Sequence, residues 1–188
     1  MKMKNQILIF VLLLGGQITL GQDKKIDINS SNIKWTGKEI TTKTHYGTLK
    51  FQKGNMTLKK GIVTAGEFVV DMTSLENEDL SGGSKNYLEK HLRSDDFFGV
   101  EQHPTASLVI TSSEKRKGGN QTVTGNLTIK GITHPVNFDL NIKDNRATAI
   151  LTFDRSKYNV KFRSSTFFDD LGDKLIYDDI ELNIDLIF

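Results

Sequence analysis

The feature that most constrains the fold of this chain is a repeated alternation of apolar and polar residues. In residues 136–143 every even position is apolar and every odd position is polar. The same period of two runs through residues 122–129 and 176–188, where Asp178 is the single polar member of an otherwise apolar row. A period of two is typical of a β-strand with one buried and one solvated face. The chain is therefore predicted to be built mainly of such strands.

Further strands are predicted between clusters of turn-forming residues. They are residues 33–38, 45–52, 55–60, 62–72, 105–112 and 146–153. The clusters that separate the strands lie at residues 53–55, 60–61, 117–120, 130–131 and 143–146. Half-apolar strands joined by tight turns indicate antiparallel pairing. Eight or more of them in one domain indicate a closed barrel or a sandwich, so the predicted fold class is all-β.

Two segments depart from this period. Residues 84–93 have the helical period, with Ser84 predicted as the N-cap. One face of this helix carries its bulky residues, which are Tyr87, Leu88, His91 and Leu92. Residues 154–175 are rich in aromatic residues without clean alternation, and one short strand is predicted within them at 159–163. A connection of this length is more often functional than idle, so residues 81–98 and 154–175 are candidate gates.

The N-terminus has the plan of a secretory signal peptide. Residues 1–21 begin with basic residues, continue with an apolar run at 7–14 and end with small and polar residues. The apolar run has eight residues, against about 20 for a spanning helix, so no stable membrane anchor is expected. Removal of residues 1–21 is expected to leave 22–188 as a single domain that is periplasmic or secreted. The chain has no cysteine, which excludes disulfides, a lipid-modified cysteine and thiolate metal sites.

The formal net charge of +2 belongs to this N-terminal segment. Its charged residues are Lys2 and Lys4, and without them 23 of the 25 basic residues remain, against 23 acidic ones. The domain at residues 22–188 is therefore formally neutral. A neutral, mixed surface has no electrostatic footprint for nucleic acid or for an anionic membrane surface, so neither is an expected partner.

Three stretches resemble the YceI-like family, whose members are exported bacterial lipocalin-fold proteins that carry polyisoprenoid or similar lipids. The stretches are KHLRSDDFF at 90–98, HPTASL at 103–108 and VTGNLTIKGITHPV at 123–136. They occur in the family's order and spacing. The resemblance implies an eight-stranded antiparallel lipocalin-like barrel with an apolar ligand cavity and one short helix near the mouth. The resemblance assigns no binding role to residues 162–175.

The inward-facing positions of the predicted strands form an apolar wall. An eight-stranded barrel is either filled by such side chains or wide enough for one small ligand, and periodicity alone leaves both open. Small inward residues leave room for a ligand, and they are Gly37, Gly125, Ala147 and Ala149. The wall also includes Leu49 and Val70. Together with the resemblance, it predicts a ligand site formed by Trp35, Phe51, Phe68, Leu108, Ile110, Leu127, Phe138, Leu140, Leu151 and Phe153.

The helix motif adds two polar candidates at the predicted mouth. His91 and Arg93 are followed by Asp95 and Asp96, and an arginine fork suits a polar or phosphorylated head group. His91 and Arg93 therefore complete the predicted ligand-binding set. The alternative, which we favour, is structural: Arg93 bridges a carboxylate and fixes the helix, and His91 packs beneath it.

No catalytic constellation is visible in the sequence. The four histidines lie on separate predicted elements, and the HExxH, GxSxG and GxxxxGK[ST] signatures do not occur. The chain is therefore expected to have no catalytic residues, no bound metal and no cofactor, and not to be an enzyme. The predicted function is binding and carriage of an amphiphilic lipid, polyisoprenoid or quinone-like. The alternative is a filled-barrel envelope interaction or stress-response protein without lipid cargo, and homodimer formation stays open.

Overall fold

The computed structural model describes residues 21–188, in which one antiparallel sheet closes into a barrel. Its strands are β1 Gln22–Lys25, β2 Asn32–Lys38, β3 Thr44–Lys59, β4 Ile62–Asn77, β5 Thr105–Lys115, β6 Asn120–Ile129, β7 Ile132–Lys143, β8 Arg146–Asp154 and β9 Asp179–Ile187. The strand order is β1-β3-β2-β9-β8-β7-β6-β5-β4, and pairing of β3 with β4 closes the ring. β1 and β2 pair with different halves of β3, so the barrel has eight strand positions. The predicted all-β, eight-stranded antiparallel barrel with one helix is confirmed.

The helix α1, Gly82–Arg93, connects β4 to β5 at one end of the barrel. This end, called the mouth below, also carries the turn between β6 and β7 and the long connection between β8 and β9. At the opposite end the chain turns tightly at Lys60–Gly61. Val63, Val123 and Ala147 are completely buried or nearly so at that end, which packs it closed. The predicted signal peptide at 1–21 lies outside the described residues, except for Gly21.

Four of the five predicted turns separate consecutive strands, and the fifth prediction is wrong. Lys60–Gly61 and Lys130–Gly131 have positive φ angles, as two-residue hairpin loops require. The turn predicted at 53–55 does not exist, because the strands predicted at 45–52 and 55–60 form, as far as Lys59, the single bent strand β3. Gly54 lies within that strand, opposite Phe68 of β4. A Cβ atom there would come within 2.6 Å of the Phe68 ring, so glycine is needed for close packing rather than for a turn.

The helix begins earlier than predicted. Ser81, not Ser84, occupies the N-cap position, and its side chain makes no capping hydrogen bond. The carbonyl oxygen of Ser81 accepts the first hydrogen bond, from the N–H of Lys85, at 3.4 Å. The two glycines that follow Ser81 therefore form part of the first turn of α1. Side-chain start signals miss this start, because no side chain caps the free N–H groups of the first turn.

The strand predicted at 159–163 is wrong. Residues Arg155–Tyr158 form a short 3₁₀ helix, and Gly172–Lys174 form another. Asn159 and Arg163 both have left-handed backbone conformations, with φ of 60° and 52°. Two such residues so close together interrupt the extended conformation that a strand needs. The connection between β8 and β9 is therefore irregular along most of its length.

A buried arginine holds this connection in place. The Arg155 side chain is fully buried and donates to the carbonyl oxygens of Val160, Ile176 and Tyr177 at 3.0–3.3 Å. Its guanidinium also lies 3.1 Å from the carboxylate of Asp178. Burial lowers the pKa of Arg155, and the Asp178 carboxylate opposes this effect. The polar exception in the C-terminal apolar row is thus the counter-ion of Arg155.

A glutamine side chain completes the barrel where two strands separate. β4 pairs with β5 only through residues 66–71. Beyond them the buried amide of Gln121 accepts from the N–H of Val63 and donates to the carbonyl oxygen of Gly61, both at 2.9 Å. The side chain replaces the missing backbone hydrogen bonds of β4. The N–H of the buried Val63 is thereby satisfied, whereas the carbonyl that the glutamine binds at Gly61 belongs to an exposed turn residue.

Candidate functional site

The barrel encloses an apolar cavity that opens at the mouth. Its volume is about 560 Å³, and every strand from β2 to β9 contributes to its lining. A cavity of this size lies within the range of about 300–1,000 Å³ that is typical of small-molecule sites. The lining alternates with outward polar residues on each strand, because successive side chains point to opposite faces. The cavity is therefore a direct product of the period-two pattern.

The structure places the predicted wall residues around this one cavity. Each of the following lines it: Trp35, Leu49, Phe51, Phe68, Val70, Leu108, Ile110, Leu127, Phe138, Leu140, Leu151 and Phe153. They meet through the barrel's cross-strand pairs, such as Leu151 opposite Leu182 and Phe153 opposite Ile180. The residues of the C-terminal row, Ile180, Leu182, Ile184 and Leu186, complete the same wall. Their contact with a ligand stays a prediction.

The small inward residues have two different roles. Gly37 and Ala149 line the cavity and leave space in it. Ala147 is completely buried at the closed end, outside the lining. Gly125 packs against β5, where a Cβ atom would lie 2.9 Å from the carbonyl oxygen of Val109. Only two of the four predicted positions therefore enlarge the cavity.

Helix α1 forms the roof of the cavity at its mouth. Its lining residues follow the helical period: Gly83, Ser84, Tyr87, Leu88, His91 and Leu92. The His91 ring packs edge-on against Phe162, with centroids 4.4 Å apart, and against Phe97 at 5.1 Å. Its Nε2 atom is 3.9 Å from the Asp96 carboxylate. His91 therefore lines the cavity as part of an aromatic cluster.

The structure does not bring Arg93 to the cavity. Its guanidinium donates to the carbonyl oxygen of Leu75 and lies 3.5 Å from the carboxylate of Glu89. Glu89 also accepts from the N–H of Asn77 at 2.9 Å. These contacts fix α1 to the end of β4, as the structural alternative expects. The predicted head-group role of Arg93 has no support in this placement.

A histidine–aspartate pair braces the rim. His45 lines the cavity, and its Nδ1 atom is 2.7 Å from the carboxylate of Asp79. The same carboxylate accepts from the N–H of Tyr46 at 2.9 Å and from the amide of Asn77. Burial acts to raise the pKa of Asp79, but these hydrogen bonds outweigh it and hold the pKa below its ordinary value. The pair joins the start of β3 to the connection before α1.

A second, polar cleft of about 470 Å³ lies beside the mouth. Its lining residues are Asp95, Asp96, Lys130, Asn159, Lys161, Phe162, Arg163, Phe168 and Leu171. Phe162 and Arg163 line both the cleft and the barrel cavity. Neither was predicted as a site residue, because the alternation that marks inward residues is lost in this connection. Its aromatic residues and paired basic residues were the available signal.

Metal-binding clusters and membrane-spanning helices were also considered for the described residues. Within residues 21–188, no three His, Asp or Glu side chains come together in a way that would hold a metal ion. The same residues contain no helix with the length and apolar character needed to cross a membrane. The arrangement is suited to hold an apolar body by burial, with polar contacts at one end only.

Sequence comparison finds relatives over nearly the whole chain. The model of a family described as the YceI-like domain matches residues 25–188. A UPF0312 protein of Photorhabdus laumondii is 30% identical, with 93% of this chain and 91% of the relative aligned. For several other curated relatives the alignment is shorter and covers 42% to 56% of the relative's own length.

Two solved structures share the fold. The crystal structure of Burkholderia cenocepacia BcnA superposes with a TM-score of 0.68 at 19% identity, over 87% of this chain and 99% of that one. A polyisoprenoid binding domain from Saccharophagus degradans gives a TM-score of 0.56 at 12% identity, over 86% of this chain and 95% of that one. At these identities the similarity is one of fold alone.

Proposed function

The chain belongs to the YceI-like domain family, and on that premise we propose that it binds an amphiphilic lipid inside its barrel and carries it. The proposed cargo has a long hydrocarbon tail of the polyisoprenoid or quinone-like kind. The observation that carries the proposal is the 560 Å³ cavity, walled by apolar side chains from every strand between β2 and β9. The polyisoprenoid binding of the Saccharophagus degradans domain, which has the same fold, supports this choice of cargo.

The cavity suits a flexible tail on energetic grounds. Burial of hydrocarbon contributes about 0.8 kcal/mol per methylene and needs no directional partner. Ten buried tail carbons thus contribute about 8 kcal/mol before the costs of ordering and association are subtracted. A tail of that length accounts for useful affinity even if each wall contact is individually weak. Specificity for the tail then depends on length and shape.

The distribution of polar groups supports binding rather than catalysis. The titratable side chains that line the cavity all lie at its mouth, and they are Lys38, Glu39, His45, Tyr87, His91 and Arg163. His45 is engaged by Asp79, and His91 is packed between aromatic rings. The deep part of the cavity is lined by hydrocarbon and aromatic side chains. Such an interior offers a tail no acid, base or nucleophile.

The alternative of a filled barrel requires an interior occupied by side chains, whereas the structure has a large cavity there. The proposal also places the protein in the periplasm or outside the cell, on the basis of the signal-like residues 1–21. A carrier in that location needs a shielded compartment for the tail, because water surrounds it between membranes. The barrel provides that compartment.

Native mass spectrometry tests the proposal. The purified protein is measured as isolated, after solvent extraction, and after incubation of the extracted protein with isoprenoid lipids. We expect one lipid per chain after incubation, lost again on extraction. An apo mass that does not change with any isoprenoid lipid would contradict the carrier function. The same spectra count subunits and so test the homodimer that the sequence leaves open.

A further inference from the structure

The exposed aromatic side chains of the barrel lie at its mouth. Within residues 21–188 they form a group of five, called the aromatic collar below: Tyr46, Tyr87, Phe167, Phe168 and Tyr177. They belong to the three parts of the chain that surround the opening, namely the start of β3, helix α1 and the connection between β8 and β9. Away from the mouth, the exposed large apolar residues are aliphatic and scattered: Ile28, Val109 and Ile150. Exposed apolar surface is therefore concentrated around the entrance to the cavity.

The aromatic collar is continuous with the opening of the barrel. Tyr87 is 75% exposed and also lines the cavity, so its side chain lies at the boundary between the cavity and the solvent. Phe168 lines the cleft beside the mouth. The N–H of Tyr177 donates at 3.0 Å to the carbonyl oxygen of Lys38, a residue of the cavity lining. A surface that covers the collar therefore also faces the entrance.

The two phenylalanines of the collar are held outward by a buried anchor. The N–H groups of Phe167 and Phe168 both donate to the carbonyl oxygen of Ser164, at 3.1 Å. Ser164 is completely buried, and its hydroxyl donates to the carboxylate of Asp178 at 2.8 Å. The phenylalanine side chains remain 41% and 49% exposed on this turn. Adjacent exposed rings at an opening are typical of a surface that a partner protein or a membrane covers.

The charges near these rings balance each other. Residues 161–174 contain three basic and three acidic side chains, which are Lys161, Arg163 and Lys174 against Asp169, Asp170 and Asp173. The ammonium of Lys161 lies 5.3 Å from the centroid of the Phe167 ring. A long lysine side chain keeps its charge in a polar layer while the neighbouring apolar group is buried. The surface therefore suits an uncharged apolar partner with a polar outer layer, and gives no net attraction to an anionic one.

We propose that the aromatic collar docks the barrel, mouth first, on the surface of a lipid bilayer. The inference rests on the proposed function, because it names the surface with which the cargo is exchanged. Aromatic side chains that are apolar in the body and polar at the tip suit the layer between lipid head groups and hydrocarbon. Docking there lets a tail pass between the bilayer and the cavity without crossing water, which every methylene of the tail disfavours. A protein or a second copy of this chain on the collar would separate the entrance from the bilayer.

Vesicle flotation measures the docking. The purified protein is mixed with vesicles of phosphatidylcholine and, in parallel, with vesicles that also contain phosphatidylglycerol, and the partition coefficient is taken from the floating fraction. We expect similar partition into both vesicles and little dependence on salt, because the collar is apolar and the charges beside it balance. Failure to float with either vesicle would overturn the inference. Binding that requires phosphatidylglycerol, or that high salt abolishes, would also overturn it, since charge would then be the cause.

Substitutions on the collar and on the outer wall locate the docking surface. Phe167→Ser combined with Phe168→Ser removes two half-exposed rings and should lower the partition coefficient about tenfold or more. The matched control combines Val109→Ser and Ile150→Ser, which removes two similarly exposed apolar side chains from the outer wall and should float as the wild type does. Tyr87→Ala tests a second element of the collar and should cause a smaller loss. Equal flotation of all these folded proteins would place the contact elsewhere and overturn the inference.

Binding of a short prenyl alcohol separates docking from carriage. Farnesol is titrated by calorimetry into the wild type and the double phenylalanine variant, and the two affinities should be equal, because neither Phe167 nor Phe168 lines the cavity. Farnesol binding without flotation would overturn the docking and leave carriage standing. Flotation through the collar without binding of any prenyl lipid would leave the docking and overturn carriage. A dimer in native mass spectra that the double variant abolishes, with no flotation of the wild type, would assign the collar to a second copy and overturn the inference.

Discussion

A larger side chain inside the cavity should weaken binding of the lipid tail without destabilising the fold. Ala149 lines the cavity on β8, between Leu140 of β7 and Ile184 of β9, which line it too. Replacing it with phenylalanine adds a ring of six carbon atoms to the interior. The substitution fills existing space rather than crowding a packed region, so stability should be unchanged or slightly raised. The variant Ala149→Phe therefore separates the cavity from the rest of the barrel.

The expected loss follows from the volume that the ring takes. If it displaces about six tail carbons, the lost burial is at most about 5 kcal/mol at about 0.8 kcal/mol each. That upper limit corresponds to more than about a thousandfold in the dissociation constant. A tail that slides toward the mouth recovers part of this contribution. We expect a loss of between about tenfold and a thousandfold.

The single tryptophan of the chain provides the assay. Trp35 lines the cavity, so its fluorescence should change as a prenyl lipid enters. The matched control is Ile150→Phe, on the same strand but facing outward, where Ile150 is 58% exposed. Wild type and control should bind alike, and Ala149→Phe should bind weakly with an unchanged circular dichroism spectrum. Equal affinity of all three folded proteins would refute the placement of the tail.

Three further predictions concern the polar contacts that shape the barrel. Asp178→Asn leaves the buried Arg155 without its counter-ion and should lower the free energy of unfolding in urea by about 3–5 kcal/mol; a loss below about 1 kcal/mol would contradict the pairing. Gln121→Leu leaves the buried N–H of Val63 unpaired and should lower the free energy of unfolding by about 1–3 kcal/mol, whereas an unchanged urea midpoint would show that another group satisfies it. The pKa of Asp79 is held below its ordinary value of 3.8, so its stabilisation is complete above that pH and is lost as the pH falls through the lower folded-state pKa. Asp79→Asn should therefore be less stable than wild type at pH 7 but not in strong acid, and a difference independent of pH would rule this out.

Much of the barrel is predictable because the period of two is a local property. The alternation within each strand shows which of its side chains face inward. The wall residues from Trp35 to Phe153 can therefore be predicted without knowing the strand order. Closing the sheet then brings those residues into one cavity. The helix was visible for the same reason, since its face follows its own period. The start of the helix was predicted three residues too late, because Ser81 at the N-cap makes no side-chain capping hydrogen bond.

The predictions from the sequence are wrong where contacts between distant parts of the chain determine the local conformation. Gly54 reads as a turn residue, but its proximity to Phe68 across β3 and β4 requires glycine inside a strand. The connection after β8 is organised by Arg155, whose acceptors lie up to 22 residues away along the chain. Arg163 reaches the mouth only through that arrangement. The sequence motif on the helix therefore predicts a head-group contact at Arg93, whose side chain instead holds α1 to the end of β4.

Mapping a bound tail onto individual residues tests the central claim most directly. A farnesyl analogue with a photoreactive diazirine near the end of its tail is bound, irradiated and located by peptide mass spectrometry. If the tail lies in the barrel with its end far from the mouth, the label should appear on deep inward residues such as Met56, Leu140 and Leu186. Labelling confined to outward apolar residues, such as Val109 and Ile150, would contradict a lipid carried inside the barrel.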